Sequence, residues 1–193
     1  MRKGGRKDHR LVINFKFHKE EGFLCGRKQG SCANMAKVIM TCGKICSGKS
    51  TYSEKLRIKY NAVILSVDEI TLALFGQNAG DKHDDYVERT EKYLFDKSLD
   101  IIGVGVNVVL DWGFWTKKER DYAKQFYRSK GVDCEFHFID ISDEKWRMRM
   151  EKRNKEIAAG KVAAYYVDDN LSAKVDSIFE RPCKEEIDVW IDG

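Results

Sequence analysis

Five apolar runs recur along the chain: KVIMTC (37–42), NAVILSVD (61–68), GVNVVLDWG (105–113), DCEFHFID (133–140) and IDVWID (187–192). Their length, their β-branched and aromatic content and the Gly, Asn and Asp around them predict strands. The stretches between them carry helical spacing. KSTYSEKLRIKY (49–60) sets Tyr52, Leu56 and Tyr60 four residues apart. Thr116 with Glu119 three residues on forms a capping box, followed by Tyr122, Ala123, Phe126 and Tyr127 on one face. Strands alternating with helices predict a parallel sheet covered on both faces. Right-handed crossovers then bring the ends of the first three strands to one sheet edge, where open α/β sheets bind ligands. No internal repeat or low-complexity tract interrupts this order, and Pro182 is the only proline.

Between the first run and its helix lies GKICSGKST (43–51). Gly43 and Gly48 bracket Lys44, Ile45, Cys46 and Ser47, and Lys49, Ser50 and Thr51 follow, which matches G-x-x-x-x-G-K-[ST] in the strand–loop–helix context that the motif requires. Glycine reaches positive φ without a Cβ clash and lets backbone amides converge on an anion, and the helix N-terminus adds partial positive charge. A polyphosphate nucleotide is the expected ligand. Lys49 would reach the β/γ-phosphates, and Ser50 would offer its hydroxyl to Mg²⁺. Cys42 and Cys46 flank the loop without metal-site spacing.

Composition narrows the setting. The chain has 193 residues, 42% of them hydrophobic, which suits one domain with a full core, as a monomer or weak dimer. It has no run of about 20 apolar residues and no secretory signal pattern, so a cytoplasmic location is expected and no membrane partner. The six cysteines, at 25, 32, 42, 46, 134 and 183, are then read as free thiols. The net charge of +4 is uneven: residues 1–34 carry nine Lys/Arg against Asp8, Glu20 and Glu21, a net of +6, which leaves −2 for residues 35–193. Residues 1–34 read as a basic, flexible extension without a catalytic role, and residues 35–193 as the catalytic domain. Such an arm suits nucleic acid or an anionic surface. Its segments LVINFKF and GFLC also suit an edge strand or a cover.

Two carboxylates close predicted strands, Asp68 after VILSV and Asp111 after NVVL. Phosphoryl transfer uses carboxylates for two tasks, deprotonating the acceptor hydroxyl and holding Mg²⁺ or its waters. The run ending in Asp111 looks like a Walker B strand, and each Asp also suits a helix cap. On the predicted helix KWRMRMEKRN (145–154), Arg149 and Arg153 lie four apart, where like charges repel unless an anion bridges them. Glu151 and Glu156 offer the simpler alternative of a solvated face. Trp146 and Met150 read as core contacts.

In order and spacing, GKICSGKST, LSVDEI, VNVVLDWGFWTKKERD, RMRMEKRN and FERPCKEEID resemble the small P-loop kinases of the AAA_33 type. That group is related to polynucleotide 5′-hydroxyl kinases, chloramphenicol phosphotransferases and zeta-toxin-like kinases. The resemblance spans residues 36 to about 192. It implies an α/β P-loop NTPase fold of the nucleoside-monophosphate-kinase type, with a parallel sheet, flanking helices and a small helical lid. It also implies that Asp68 is the general base, that Arg149 and Arg153 are lid arginines, and that FERP (179–182) lies near the adenine. EITLALFG (69–76) lacks the arginine that some hydroxyl kinases carry there, which leaves the acceptor type open.

The expected activity is transfer of the γ-phosphoryl of Mg·ATP to a hydroxyl of a small molecule or a nucleic-acid end. A nucleotide-binding regulator or slow ATPase is the alternative. Residues 154–170, rich in Gly, Ala and polar side chains, read as a lid. Phe75, His83, Asp84, Tyr86, Trp112, Phe114 and Trp115 are expected to line an acceptor cleft or to pack in the core or rim.

Overall fold

The computed structural model describes residues 36–77 and 80–193. The expectations for the basic segment 1–34 lie outside the described residues. The strands are β1 (Val38–Cys42), β2 (Ala62–Ser66), β3 (Asn107–Asp111), β4 (Cys134–Asp140) and β5 (Val189–Asp192). All pair in parallel, in the order β2-β3-β1-β4-β5. The helices are α1 (Lys49–Tyr60), α2 (Val67–Phe75), α3 (His83–Gly103), α4 (Lys117–Arg128), α5 (Asp143–Ala158) and α6 (Asp169–Ile178).

β1 lies in the middle, buried at every position, and feeds both faces. Val38, Met40 and Cys42 point into the larger core with Phe95 of α3, Ala123 and Tyr127 of α4, and Phe136 of β4. Ile39 points the other way, to Leu56 of α1 and Val109 of β3. A third cluster joins Ile45, after β1, to Trp146 of α5, to Val167 just before α6 and to Val175 of α6. Two-faced burial explains why β1 and β3 read as continuous apolar runs.

The strands are shorter than the runs that predicted them, and at β2 the difference matters. Ser66 accepts from Glu69 N and caps α2, so Asp68 sits in the first helical turn and not at a strand end. Asp111 does end β3, and α4 is capped by Thr116 through the expected box. Neither Asp is a helix cap. The segment 154–170 begins with the last turn of α5, continues as an irregular strap over residues 159–168 and ends in α6, whose cap is Asp168. Among the described residues no helix is long and apolar enough to cross a membrane, and Cys42, Cys46, Cys134 and Cys183 are free thiols.

Candidate functional site

The loop between β1 and α1 has the backbone that its glycines foretold. Gly43 and Gly48 take φ of 151° and 105°, and Cys46 joins them at 61°. A Cβ on Gly43 would come within 2.9 Å of Ile139 O and of Ser47 Oγ, so a side chain there meets backbone. Lys49 Nζ donates to the carbonyls of Gly43 (3.0 Å) and Lys44 (2.7 Å), which keeps the ammonium at the loop mouth. Dense packing lowers its pKa, and the nearby Asp111 and Asp68 carboxylates oppose that shift. Ser50 and Thr51 open α1 on the exposed side.

Helix α5 lies along the outside of this loop. Trp146 Nε1 donates to Ile45 O (2.7 Å), Arg149 Nη1 to Ser47 O (2.6 Å) and Arg153 Nη1 to Cys46 Sγ (3.4 Å). Positions 146, 149 and 153 share one helical face, so the two arginines grip the loop directly and stay off Glu151 and Glu156. Lys44 differs from the rest of the motif. Its ammonium is turned behind the loop, to Asp176 (2.7 Å) and Asp143 (3.3 Å), 4.3 Å from the Trp146 ring centroid.

The turn after β3 braces the loop from the other side. Gly43 N donates to Gly113 O (3.1 Å), and Trp115 Nε1 donates to Gly43 O (3.2 Å). A Cβ at Gly113 would fall 2.0 Å from the Trp115 indole nitrogen, so glycine is what lets the ring lie against the loop. Phe114 holds φ at 45°, and its carbonyl and that of Trp115 accept from Arg120 Nη1 (3.0 and 3.2 Å). Arg120, 1% exposed, also donates through Nε to Glu186 (2.7 Å). Burial works against ionisation of Glu186, yet the bonds from Arg120 and the Cys183 amide bring its pKa down to about 2.

Asp68, Lys49, Arg153 and Asp111 form one electrostatic group, with His83 at its edge. Asp68 keeps a solvent-facing side, while the protein crowded around it raises its pKa; Lys49 and Arg153 pull the other way. A carboxylate made more basic at the mouth of an anion nest suits proton abstraction. Asp111 is buried, and its Oδ1 accepts from Thr41 Oγ1 (3.3 Å).

Phosphate fits this loop. Two buried polar groups here, Ser47 Oγ in the loop and Arg153 Nε on α5 against it, have no partner, as expected where a bound anion would supply one. Magnesium fits as well, through the Ser50 hydroxyl and the Asp111 carboxylate. That ion keeps several waters and takes its other ligands from phosphate oxygens, so it needs no cluster of three protein ligands, and the described residues contain none.

The expected aromatic cleft divides. Trp112 and Phe114 are buried in the main core, stacked at 5.0 Å. Trp115 braces the loop. Phe75 stacks on Tyr86 at 4.3 Å, and His83 meets the edge of Tyr165, beside the strap. Arg120, Glu186, Thr71 and Tyr165 escaped the sequence reading, because the bonds that pair them, Arg120 to Glu186 and Tyr165 to Thr71, span 66 and 94 residues. The one local signal was the charge of Arg120 on the apolar face of α4, i−3 from Ala123.

The model of the AAA domain family AAA_33 matches residues 38–170. A search of curated protein sequences gave no match. Among solved structures, the chain is similar to the APS kinase CysC of Mycobacterium tuberculosis in complex with AMPPNP and APS. That pair has 18% identity and a TM-score of 0.59, over 82% of this chain and 88% of that one. A gluconokinase from Sinorhizobium meliloti 1021 gives 17% identity and a TM-score of 0.56, over 82% and 83%. A chain of the Pnkp1/Rnl/Hen1 RNA repair complex gives 21% and 0.60, over 74% of this chain and 43% of that one. At these identities the likeness carries the fold, which is that of the P-loop NTPases.

Proposed function

The chain belongs to the AAA_33 family of AAA domains, and on that premise we propose that it is an ATP-dependent phosphotransferase acting on an alcohol. The observation that carries the reading is the placement of Asp68 beside Lys49 and Arg153 at the loop mouth. A nucleotide switch needs the loop but has no use for a basic carboxylate on the acceptor side.

In this reading the loop amides and Lys49 hold the triphosphate, and Ser50 and Asp111 hold Mg²⁺. The metal, when bound, neutralises charge on the β- and γ-phosphate oxygens. Asp68 accepts the proton of the acceptor hydroxyl as its oxygen bonds to the γ-phosphorus. The bond from that phosphorus to the β,γ-bridging oxygen breaks, and ADP leaves with the electron pair. Arg149 and Arg153, already anchored on the loop, stabilise charge on the transferring group through their planar donors.

The test separates base from metal ligand. Asp68→Asn is expected to retain Mg·ATP affinity and to lose transfer by roughly 10²- to 10⁴-fold. Asp111→Asn is expected to weaken Mg²⁺-dependent ATP binding itself. Calorimetry gives the affinities and single-turnover transfer gives the rates. Slow ATP hydrolysis indifferent to Asp68→Asn would favour the switch instead.

A further inference from the structure

The strap meets α2 one turn past Asp68. Tyr165 Oη donates to Thr71 Oγ1 (3.0 Å), and Thr71 stands one turn after Asp68 on α2. Gln77 donates to Ala164 O (2.6 Å) and accepts from Tyr166 N (3.0 Å). Asn154 exchanges two bonds with the Val167 backbone (2.7 and 3.0 Å). His83 meets the Tyr165 ring at 5.6 Å and stands close enough to lower the pKa of Asp68, against the upward pull of burial.

We infer that the space bounded by Asp68, Thr71, His83 and Tyr165 takes a small alcohol carrying neither phosphate nor carboxylate. This inference rests on the phosphotransferase reading and names its acceptor class. Three observations carry it. The first is enclosure: the end of a polymer would have to lift a strap held to α2 and the turn after it by three hydrogen bonds. The second is the lining. Besides the base, the groups at hand are the Tyr165 hydroxyl, which donates to Thr71 and can still accept, the His83 imidazole, which can give or take a hydrogen bond, and aromatic faces that suit C–H surfaces. The buried Thr71 hydroxyl donates to Val67 O (2.9 Å) and holds Tyr165 in place. Such groups read hydroxyls.

The third is charge. Residues 67–77 and 80–89, the segments that carry Asp68, Thr71 and His83, contain Asp68, Glu69, Asp81, Asp84, Asp85 and Glu88 against Lys82 and Arg89. Arg89 is engaged by Asp85 (3.0 Å), and Lys174 of α6 by Asp84 (3.5 Å). Phosphate-bearing ligands, nucleic acids above all, draw their affinity from lysine and arginine placed on the phosphates. Lys49 and Arg153, the cations beside Asp68, serve the triphosphate in this reading, so a phosphate on the acceptor would meet mainly carboxylates.

The experiment offers the full chain and γ-labelled ATP three acceptor sets: neutral and amino sugars with polyols, their phosphate esters and sugar acids, and 5′-hydroxyl oligonucleotides. Label is expected to pass to members of the first set alone. For the best acceptor, Tyr165→Phe is expected to raise KM about tenfold, as for one lost hydrogen bond, while calorimetric ATP affinity stays within twofold. His83→Gln, which keeps a donor and an acceptor, is expected to raise that KM less than His83→Ala. Transfer to a phosphate ester, a sugar acid or an oligonucleotide with equal or higher kcat/KM overturns the proposal, as does transfer to no set by a protein that binds Mg·ATP. Failure to bind Mg·ATP would instead sink the phosphotransferase reading.

Discussion

Replacing Arg120 by methionine removes the buried charge that holds the Gly113–Thr116 turn, and with it the brace on the phosphate loop. Arg120 makes three charge-assisted bonds, to Glu186 and to the carbonyls of Phe114 and Trp115. Breaking a buried pair by removing one partner costs about 3–5 kcal/mol. Several features place this case near the lower end. Glu186 is 13% exposed and keeps the Cys183 amide (3.1 Å), so it can recover part of its solvation. Trp115 O also accepts from Glu180 N (2.9 Å), and Phe114 O is approached by Cys42 Sγ (3.5 Å). Methionine fills most of the volume. The expected loss is about 3 kcal/mol, or a fall in Tm of roughly 6–12 °C for a chain of this size. Urea denaturation and a thermal scan measure it. Arg120→Met combined with Glu186→Leu should be milder than the single change, since no uncompensated carboxylate remains. A loss under about 1 kcal/mol for Arg120→Met would refute the reasoning. It would mean that the packing of Phe114 on Trp112 and Phe136 holds the turn without the charge.

Gly113→Ala would place a methyl group 2.0 Å from the Trp115 indole nitrogen and push the ring off Gly43 O; calorimetry should show ATP affinity falling about five- to tenfold, roughly the value of one hydrogen bond. Lys44→Met should change ATP affinity less than threefold, whereas Lys49→Ala should abolish turnover with the fold intact, because the Lys44 ammonium is held behind the loop by Asp143 and Asp176; a tenfold effect at Lys44 would contradict that placement. Stability should also depend on acid. Burial lowers the pKa of His137 below its ordinary 6.5, against the opposing bond to Glu135, so the fold favours the neutral ring. Glu135 is likewise lowered, its bonds from Lys37 and His137 outweighing burial. Both contributions are present at neutral pH. They are lost as pH falls, the histidine's from about 6.5 downward and the glutamate's below 4.5. Glu91, which burial pushes up to about 7, shifts stability the opposite way over the same range, so the test is the difference in urea midpoint between the wild type and His137→Gln from pH 8 to pH 4. It should be flat above about pH 7 and then shrink, and a difference that grows below pH 6 would show that the sign is wrong.

Legibility in the sequence followed the range of the interaction. Strand positions, the Thr116–Glu119 box and the phosphate loop are set by contacts within a few residues, and each could be read directly. Asp68 was legible as a residue but not as a position: the hydroxyl of Ser66 starts α2 two residues before it, which a continuous apolar run conceals. The pair Arg149 and Arg153 was ambiguous, since helical spacing is the same whether a face meets solvent or a loop. Trp112, Phe114 and Trp115 looked alike in sequence. Strand alternation and the positive φ of Phe114 send two of them inward and the third to the loop.

What the sequence by itself determined is therefore the anion nest and the layered α/β frame around it. Glycine sterics, amide spacing and hydrophobic period act locally and leave few alternatives. The tertiary structure decided what surrounds the nest. Sheet order sets β3 and β4 on either side of β1, which brings Trp115 to Gly43 and Arg149 to Ser47 across 72 and 102 residues. The strap beside Asp68 depends on Tyr165 reaching Thr71 across 94 residues. Such pairs form only after the chain has closed long loops, and their geometry depends on the packing of elements that share no local pattern.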